Sequence, residues 1–348
     1  MDENIQNYST EELISEPSNG NNNISESEFA YSQEVIRKMS DYFDDKVVGQ
    51  KQLKFSLIAS ILADGHILIE SVPGLAKTTA AKAISDAVDG KFARIQCTPD
   101  LLPADIIGTQ IYNQATCKFE TMLGPVFANF VLLDEVNRSS AKTQSAMLEA
   151  MQEKHVTIGG KTYNMPEDIF IVIATQNPIE QEGTYPLSEA QTDRFLIKEV
   201  ITYPTAAEEV EILKRIESGV ISEKTDPVLT IQDINKVQDI ADQVYVDEAV
   251  KWYISSIVVA SRRANQIPGF ELGKYVRIGV SPRASIAFLK MAKAAALMMG
   301  RTYVTPEDVK VVRHQVLRHR IGLNYSAVAD NISVETVIDG IVNSVKTP

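Results

Sequence analysis

The sequence predicts an α/β fold, in which a parallel sheet is covered by helices on both faces and is followed by an all-helical domain. Two observations lead to this prediction. From Val35 onward, short apolar runs alternate with amphipathic stretches, as strands and helices do in a parallel sheet. After Pro204 these short runs stop, and apolar residues recur at helical spacing, for example at Phe288, Ala292 and Ala296.

The predicted strands are short segments that are rich in apolar residues. Several of them are almost continuously apolar, which is expected of a strand that is buried on both faces of a sheet. In chain order the predicted strands are His66–Glu70, Phe92–Cys97, Phe130–Asp134, Ile169–Thr175 and Phe195–Ile201.

The first 30 residues differ in composition from the rest of the chain. They carry seven acidic residues, neither lysine nor arginine, and the polar run "SNGNNN". Such a segment buries too little apolar surface to offset the entropy lost on ordering, so it is predicted to be disordered. The predicted organisation is therefore an acidic tail (residues 1–30), an α/β core (residues 31–203) and a helical domain (residues 204–348).

The composition also limits the class of protein. No run of about 18 apolar residues occurs, so no membrane insertion is expected. The N-terminus lacks the basic and apolar regions of a secretory signal, which favours a cytoplasmic location. The net charge of −12, without a basic patch interleaved with aromatic residues, argues against nucleic acid as a partner.

The stretch "ILIESVPGLAKTTAAKAISDAVDG" after the first predicted strand resembles a phosphate-binding loop. Such a loop presents backbone N–H groups to phosphates, adds a lysine, and ends in a hydroxyl at the start of a helix. Lys77 and Thr78 supply the ammonium group and the hydroxyl. The apolar residues that follow predict a helix that continues to Val88 and stops at Asp89 and Gly90.

Two glycines of the usual spacing GxxxxGK[ST] are replaced in this loop, by Ser71 and Ala76. Ala76 keeps its N–H group and favours the first helical turn. Ser71 is acceptable if its φ angle is negative, and Gly74 remains for a turn with positive φ after Pro73. The loop is therefore predicted to bind a nucleotide.

The segment "FVLLDEVNRSS" places two carboxylates at the end of a predicted strand. Ligands of α/β proteins gather at the carboxyl ends of strands. Asp134 is suited to hold Mg²⁺ with Thr78, and Glu135 to polarise an attacking water. An isolated "DE" is often only an acidic turn, but the neighbouring phosphate loop favours a catalytic site.

Asn177, in "QNP", follows the next predicted strand and could orient the same water. An asparagine before proline is also a common turn residue.

Five blocks of the sequence together resemble one known family. The blocks are "VPGLAKT", "IQCTPDLLPADIIGTQIY", "GPVFANFVLLDEVNRSSAKTQSAMLEAMQEKHVTIGG", "VIATQNPIEQEGTYPLSEAQTDRF" and "VSPRAS". They cover most of the chain from Val47 to about Lys290. In these blocks the chain resembles the MoxR family of AAA+ ATPases, which implies a P-loop NTPase core with a helical lid, ATP hydrolysis, and ATP and Mg²⁺ as cofactors.

The resemblance also implies roles for single residues. Lys77 and Thr78 match Walker A, Asp134 and Glu135 match Walker B, and Asn177 matches sensor 1. Arg194 matches the arginine finger that acts on a neighbouring subunit, and Arg283 matches sensor 2. The remaining matches are the nucleotide-binding positions Val48 and Gly49, which pack beside adenine, and Pro73, Gly74, Leu75, Ala76 and Thr79 of the loop. The family usually has glycine where Ser71 stands.

Both arginines have an alternative interpretation. Arg194 follows Asp193, so a local ion pair is possible on the sequence alone. Arg283 follows Pro282 at a predicted helix start, where a positive charge opposes the helix dipole and favours an anionic ligand. Arg138, Arg262 and Arg263 are further candidates that the sequence does not distinguish from structural ion pairs.

Two segments, Gly108–Gly124 and His155–Met165, predict β-hairpins. The second contains a Gly-Gly turn that suits a tight connection. The resemblance implies that both hairpins point towards the pore of a ring, whereas inert surface hairpins are the alternative.

The resulting hypothesis is a homo-oligomeric ATPase, expected to form a hexameric ring, that remodels, matures or activates partner proteins. The resemblance implies a partner with a von Willebrand A domain and leaves the client protein unknown. Two alternatives remain open: a nucleotide-dependent scaffold or switch with little turnover, and a chelatase-type or DNA-remodelling AAA+ motor.

Overall fold

The computed structural model of the 348-residue chain describes residues 24–72, 74–75, 77–178, 183–218 and 226–348. Most of the predicted tail, residues 1–23, lies outside these ranges. The tail prediction is wrong for its last residues, because a helix begins at Glu26. The Ser25 hydroxyl accepts the N–H of Glu28 at 3.2 Å, and the Glu28 carboxylate accepts the N–H of Ser25 at 2.9 Å. These acidic residues therefore stabilise the first turn of a helix, where negative charge is favourable.

The helices of the described residues lie in both halves of the chain. In chain order they are α1 (Glu26–Lys46), α2 (Lys51–Leu62), α3 (Lys77–Asp86), α4 (Pro103–Ile107), α5 (Ala141–Glu153), α6 (Glu189–Thr192), α7 (Ala206–Glu217), α8 (Ile231–Asp242), α9 (Glu248–Arg262), α10 (Pro282–Met298), α11 (Pro306–Val311), α12 (Arg313–Leu317), α13 (Tyr325–Ala329) and α14 (Val334–Ser344).

The strands of the described residues lie mainly in the first half. In chain order they are β1 (Ile67–Glu70), β2 (Val88–Asp89), β3 (Phe92–Gln96), β4 (Gly108–Asn113), β5 (Lys118–Leu123), β6 (Phe130–Asp134), β7 (His155–Ile158), β8 (Lys161–Asn164), β9 (Ile171–Gln176), β10 (Ile197–Val200), β11 (Leu229–Thr230), β12 (Val276–Ile278) and β13 (Gly322–Leu323).

The five predicted strands form one sheet with the order β10-β1-β9-β6-β3, and every neighbouring pair is parallel. This confirms the predicted fold class. Because the strands are parallel, the sheet has one edge where all of them end and an opposite edge where all of them begin. We call these the carboxyl edge (Glu70, Gln96, Asp134, Gln176 and Val200) and the amino edge (Ile67, Phe92, Phe130, Ile171 and Ile197).

The strand side chains alternate between two apolar cores. Ile67 and Ile69 face a large core that includes residues of α1, α2 and α3 and of the helices of the second half. Leu68 faces a smaller core that includes Met147 and Met151 of α5. The boundary predicted between residues 203 and 204 stays a prediction, because the large core runs through both halves of the chain.

The second half is helical, as predicted, apart from short strands. β12 pairs with β13 in antiparallel orientation, and β11 pairs with β2 in parallel orientation. The second pairing has a consequence for α3, which ends at Asp86 and not after Val88. The carbonyl of Ala87 accepts the N–H groups of Val228 and Leu229, each at 3.0 Å, so the chain leaves the helix there.

Both predicted hairpins are present, as β4–β5 and β7–β8. Gly159 and Gly160 have φ angles of +58° and +81°, which is the conformation that a tight hairpin turn requires. The β4–β5 hairpin exposes several large apolar side chains, namely Ile111, Tyr112, Phe119, Met122 and Leu123.

Within the described ranges, no helix combines the length and the apolar character needed to cross a lipid bilayer.

Candidate active site

At its altered first position, the loop between β1 and α3 has a backbone conformation that does not need glycine. The φ angle of Ser71 is not positive, and its N–H donates to the carbonyl of Gln176 at 3.2 Å. Gly74 has a φ of +84°, which glycine adopts without strain. Serine at position 71 is therefore compatible with the loop. Pro73 and Ala76 lie outside the described residues.

Lys77 and Thr78 open α3, where helix N–H groups favour an anion. Lys77 is buried, and its Nζ donates to the carbonyl of Ser71 at 3.3 Å. Thr78 Oγ1 donates to Asp134 Oδ2 at 3.3 Å. Leu75 is buried and Thr79 is exposed. The loop thus brings an ammonium group and a hydroxyl to the carboxyl edge.

Asp134 is the centre of the polar contacts at this edge. Its Oδ2 also accepts Arg94 Nη2 at 2.6 Å, and its Oδ1 accepts Thr175 Oγ1 at 2.8 Å. Burial raises the pKa of Asp134, but the hydrogen bonds from Thr175 and Arg94 and the charge of Lys77 outweigh burial and lower the pKa below its usual value. Asp134 is therefore a carboxylate at neutral pH.

Glu135 adopts a left-handed backbone conformation, with φ +57° and ψ +51°. This conformation is uncommon outside glycine and is concentrated at functional sites. The N–H of Glu135 donates to Thr175 Oγ1 at 2.9 Å. Its carboxylate accepts Arg138 Nη1 at 3.1 Å and Gln96 Nε2 at 3.2 Å. These contacts hold the carboxylate in one orientation beside Asp134.

Three contributors to this site were not predicted from the sequence: Arg94, Gln96 and Thr175. Arg94 and Gln96 are two residues apart on β3, so they lie on the same face of the strand. Gln96 is in register with Asp134. Polar residues at alternate positions of "FARIQ" were the available signal, but their meaning depends on β3 lying next to β6.

Substitutions at Thr175 test whether these contacts matter for catalysis, because the Thr175 hydroxyl contacts both Asp134 and Glu135. We expect Thr175→Val to lower kcat about 10- to 100-fold, the usual effect of removing a group that orients metal ligands. Valine has a similar shape but leaves Glu135 N–H and Asp134 Oδ1 without the hydroxyl. Thr175→Ser should retain activity. Steady-state phosphate release checks this, and a Val variant as active as the Ser variant would remove Thr175 from the site.

The oxygen atoms at this edge fit Mg²⁺. Thr78 Oγ1 and Asp134 Oδ2 are a hydroxyl and an ionised carboxylate, which are ligand types that Mg²⁺ prefers. Arg94 contacts the same carboxylate oxygen. The guanidinium therefore places a fixed positive charge next to the predicted metal position.

The remaining predicted residues of the core lie at two places. Asn177 follows β9 at the carboxyl edge, is buried, and accepts Asn137 Nδ2 on its main-chain carbonyl at 3.3 Å. Val48 and Gly49 line a cavity of about 350 Å³ beside α7. The φ of Gly49 is +69°, a conformation that favours glycine, and a Cβ there would displace the end of the Glu208 side chain. The assignment of Val48 and Gly49 to adenine stays a prediction.

Arg194 and Arg283 lie at the opposite edge of the sheet. Arg194 precedes β10, is exposed, and donates from Nη1 to the carbonyl of Leu148 at 3.1 Å. Arg283 Nη1 lies 3.6 Å from Asp193 Oδ2, which places it beside the same segment. A strand of four residues spans roughly 13 Å, so the two edges are well separated. The structure does not bring either arginine to the phosphate loop of its own chain.

Two of the other arginines that the sequence left open, Arg138 and Arg262, have local partners. Arg138 pairs with Glu135 at the carboxyl edge. Arg262 donates from Nε to the carbonyl of Val280 at 2.8 Å, and Arg263 follows the end of α9. The first belongs to the acidic site, whereas the contact of Arg262 joins two segments of the second half.

Comparison with known proteins identifies the class to which this fold and loop belong. Residues 66–197 match the profile of the ATPase family associated with various cellular activities (AAA), and residues 273–341 match that of the AAA lid domain. A crystal structure of a candidate ATPase from Cytophaga hutchinsonii superposes with a TM-score of 0.86 at 44% sequence identity, covering 93% of this chain and 98% of that chain. The chain is an AAA+ ATPase with a nucleotide-binding core and a lid.

Relatives define the family within this class. Chaperone MoxR1 of Mycobacterium tuberculosis is 48% identical over 302 residues, which cover 87% of this chain and 79% of the relative. The uncharacterized protein YeaC of Bacillus subtilis is 42% identical over 322 residues, which cover 92% of this chain and 98% of the relative. Protein MoxR of Paracoccus denitrificans is 29% identical over 294 residues. The chain belongs to the MoxR family.

Proposed function

We propose that this protein hydrolyses ATP, with Mg²⁺, in a homo-oligomeric ring whose active sites are each completed by arginines of a neighbouring subunit, and that it uses this cycle to remodel, mature or activate partner proteins. The observation that carries the proposal is the separation of two sets of residues. Lys77, Asp134 and Glu135 lie at the carboxyl edge, whereas Arg194 and Arg283 lie at the amino edge.

At the carboxyl edge, each residue has a part in hydrolysis. The loop N–H groups and Lys77 would bind the phosphates, and Thr78 and Asp134 would hold Mg²⁺, which would neutralise charge on the phosphates when bound. Glu135 accepts the proton of the attacking water, and Asn177 orients that water. Gly74, Leu75 and Thr79 are further positions that we assign to the nucleotide, and we assign Val48 and Gly49 to adenine. The assignment of Pro73 and Ala76, which lie outside the described residues, stays a prediction.

At the amino edge, Arg194 and Arg283 act on the neighbour. Negative charge on the γ-phosphate during transfer is stabilised by a donor that enters from outside the loop. A contact between two different surfaces of identical chains is head-to-tail, and it generates a ring when the rotation closes. The family resemblance supports a hexamer. In this arrangement residues 31–203 form the core, residues 204–348 form the lid, and hydrolysis depends on subunit contact.

Other observations support an interaction with partner proteins. The exposed apolar side chains of the β4–β5 hairpin offer a surface for protein contacts. The mycobacterial relative is named as a chaperone. Family resemblance supports a partner with a von Willebrand A domain, and a cytoplasmic location is part of the proposal. The client protein is left open.

Mixing two inactive variants tests this proposal. Arg194→Ala subunits keep an intact carboxyl edge, and Lys77→Ala subunits keep an intact amino edge. Each should be inactive alone, but in an equal mixture about one interface in four joins an intact site to an intact finger, so turnover should return. Arg37→Ala, an exposed arginine of α1, is the control. Mixed assemblies that form but stay inactive would contradict action across the interface.

A further inference from the structure

A buried arginine of the second half holds the segment that carries Arg194. Arg320 lies after α12, and its side chain is 3% exposed. Its Nε donates to Asp193 Oδ1 at 2.8 Å. Its Nη2 donates to the carbonyl of Phe195 at 2.6 Å and to that of Asp193 at 3.4 Å. The guanidinium therefore contacts the chain on both sides of Arg194.

Every nitrogen of this guanidinium donates a hydrogen bond. Its Nη1 donates to the carbonyl of Leu196 at 3.1 Å and to that of Val316 at 2.5 Å. A guanidinium has five N–H groups, and Arg320 makes five contacts. Most of them end on residues 193–196. Lysine, with a single nitrogen, could not reproduce this pattern.

The other oxygen of Asp193 faces the second arginine of the amino edge. Asp193 Oδ2 accepts the hydroxyl of Ser281 at 2.8 Å and lies 3.6 Å from Arg283 Nη1. Ser281 also caps α10, because its hydroxyl accepts the N–H of Arg283 at 3.1 Å. The Asp193 carboxylate thus contacts both Arg320, which holds the segment around Arg194, and the start of the helix that carries Arg283.

We propose that Asp193 and Arg320 are positioning residues. They hold Arg194 and Arg283 of their own subunit in a fixed arrangement, in which both arginines act on the ATP of the neighbouring subunit. The inference rests on the proposed function, since it assumes that the two arginines act across an interface. Arg194 is itself exposed and donates to the carbonyl of Leu148, so its direction depends on how its backbone is held. A displacement of about 1 Å of such a group can cost on the order of 100-fold in rate.

A purely structural role makes a different prediction. Removing one partner of a buried ion pair destabilises the fold under either role, because the remaining charge is left unpaired. If Asp193 and Arg320 only stabilised the fold, variants would lose nucleotide binding and thermal stability together. If they position the arginines, the variant keeps its own nucleotide affinity and loses kcat.

The primary test is Asp193→Asn, which keeps the shape but removes the charge. We expect kcat to fall about 10- to 100-fold, with nucleotide affinity unchanged by calorimetry. Addition of Lys77→Ala subunits should restore turnover, since these supply an intact amino edge. Double variants with Lys77→Ala and Asp193→Asn should fail to activate Arg194→Ala subunits, whereas Lys77→Ala alone activates them.

The outcomes separate this inference from the proposed function. If Lys77→Ala activates Arg194→Ala but not Asp193→Asn, the positioning role is wrong and the ring proposal stands. If it activates neither, the ring proposal fails, and the positioning role fails with it. Parental kcat in Asp193→Asn alone also overturns the inference. Should Asp193→Asn fail to fold, Ser281→Ala replaces it, because it loosens the same carboxylate without exposing a buried charge, and the same recovery with Lys77→Ala is expected.

Discussion

Replacement of Glu135 by glutamine should lower ATP turnover by roughly 10²- to 10⁴-fold, the range expected when a general base is removed. Glutamine keeps the shape and one acceptor atom but lacks the negative charge that, in the proposed mechanism, makes the water nucleophilic. The Glu135 carboxylate is fixed by Arg138 and Gln96, and its backbone by Thr175, so the substitution changes the charge and leaves the surroundings in place.

Nucleotide binding should survive this change, because Lys77, Thr78 and Asp134 are intact. We expect the Glu135→Gln variant to accumulate as an ATP-filled ring and to retain its client protein.

Glu307→Gln is the matched control, since Glu307 is an exposed glutamate of α11 that pairs with Lys310. Turnover is measured as phosphate release and binding by calorimetry. A Glu135→Gln rate above about a third of the parental rate would remove Glu135 from the mechanism. Negligible turnover in the parental protein would favour the scaffold or switch alternative.

Replacement of Lys77 by alanine should weaken ATP binding by at least about 100-fold, because the loss of a buried charge partner costs several kcal/mol. Lys77 Nζ is buried and contacts the carbonyl of Ser71, so the ammonium lies against the loop that is predicted to bind the phosphates. The other groups predicted to bind the phosphates are backbone N–H groups and one hydroxyl, which do not replace a full positive charge.

A lysine on the same helix provides the control for this experiment. Lys82 is exposed, and its Nζ lies 3.9 Å from Asp86. Lys82→Ala should bind ATP as the parental protein does, and both variants should unfold at similar temperatures. Near-parental affinity in Lys77→Ala, measured by calorimetry, would contradict the phosphate-loop assignment.

The sequence predicted those parts of the site that depend on neighbouring positions in the chain. The loop ending in Lys77 and Thr78, and the strand ending in Asp134, are local patterns. Thr175 could not be found in this way, because it reaches Asp134 only since β9 lies beside β6. The contact of Arg94 with Asp134 likewise depends on the strand order and on a side-chain conformation.

The contacts at the amino edge also could not be predicted from neighbouring positions, because their partners are far apart in the chain. The sequence allowed a local pair between Asp193 and Arg194, because the two residues are adjacent. In the structure Asp193 pairs with Arg320 and Arg283, which come from the second half of the chain. The prediction of a disordered tail up to residue 30 failed for another reason. Acidic residues are common both in disordered tails and at helix N-termini, and here the capping contacts of Ser25 and Glu28 distinguish the two.

In the proposed ring, each active site is completed by a neighbouring subunit. The most direct measurement is the ATPase rate per subunit over a range of protein concentrations, with the assembled fraction followed by analytical ultracentrifugation in the same buffer. The composite site predicts that the rate per subunit rises in proportion to the assembled fraction, while monomers still bind ATP. A rate per subunit that is the same for monomers and for assembled rings would contradict it.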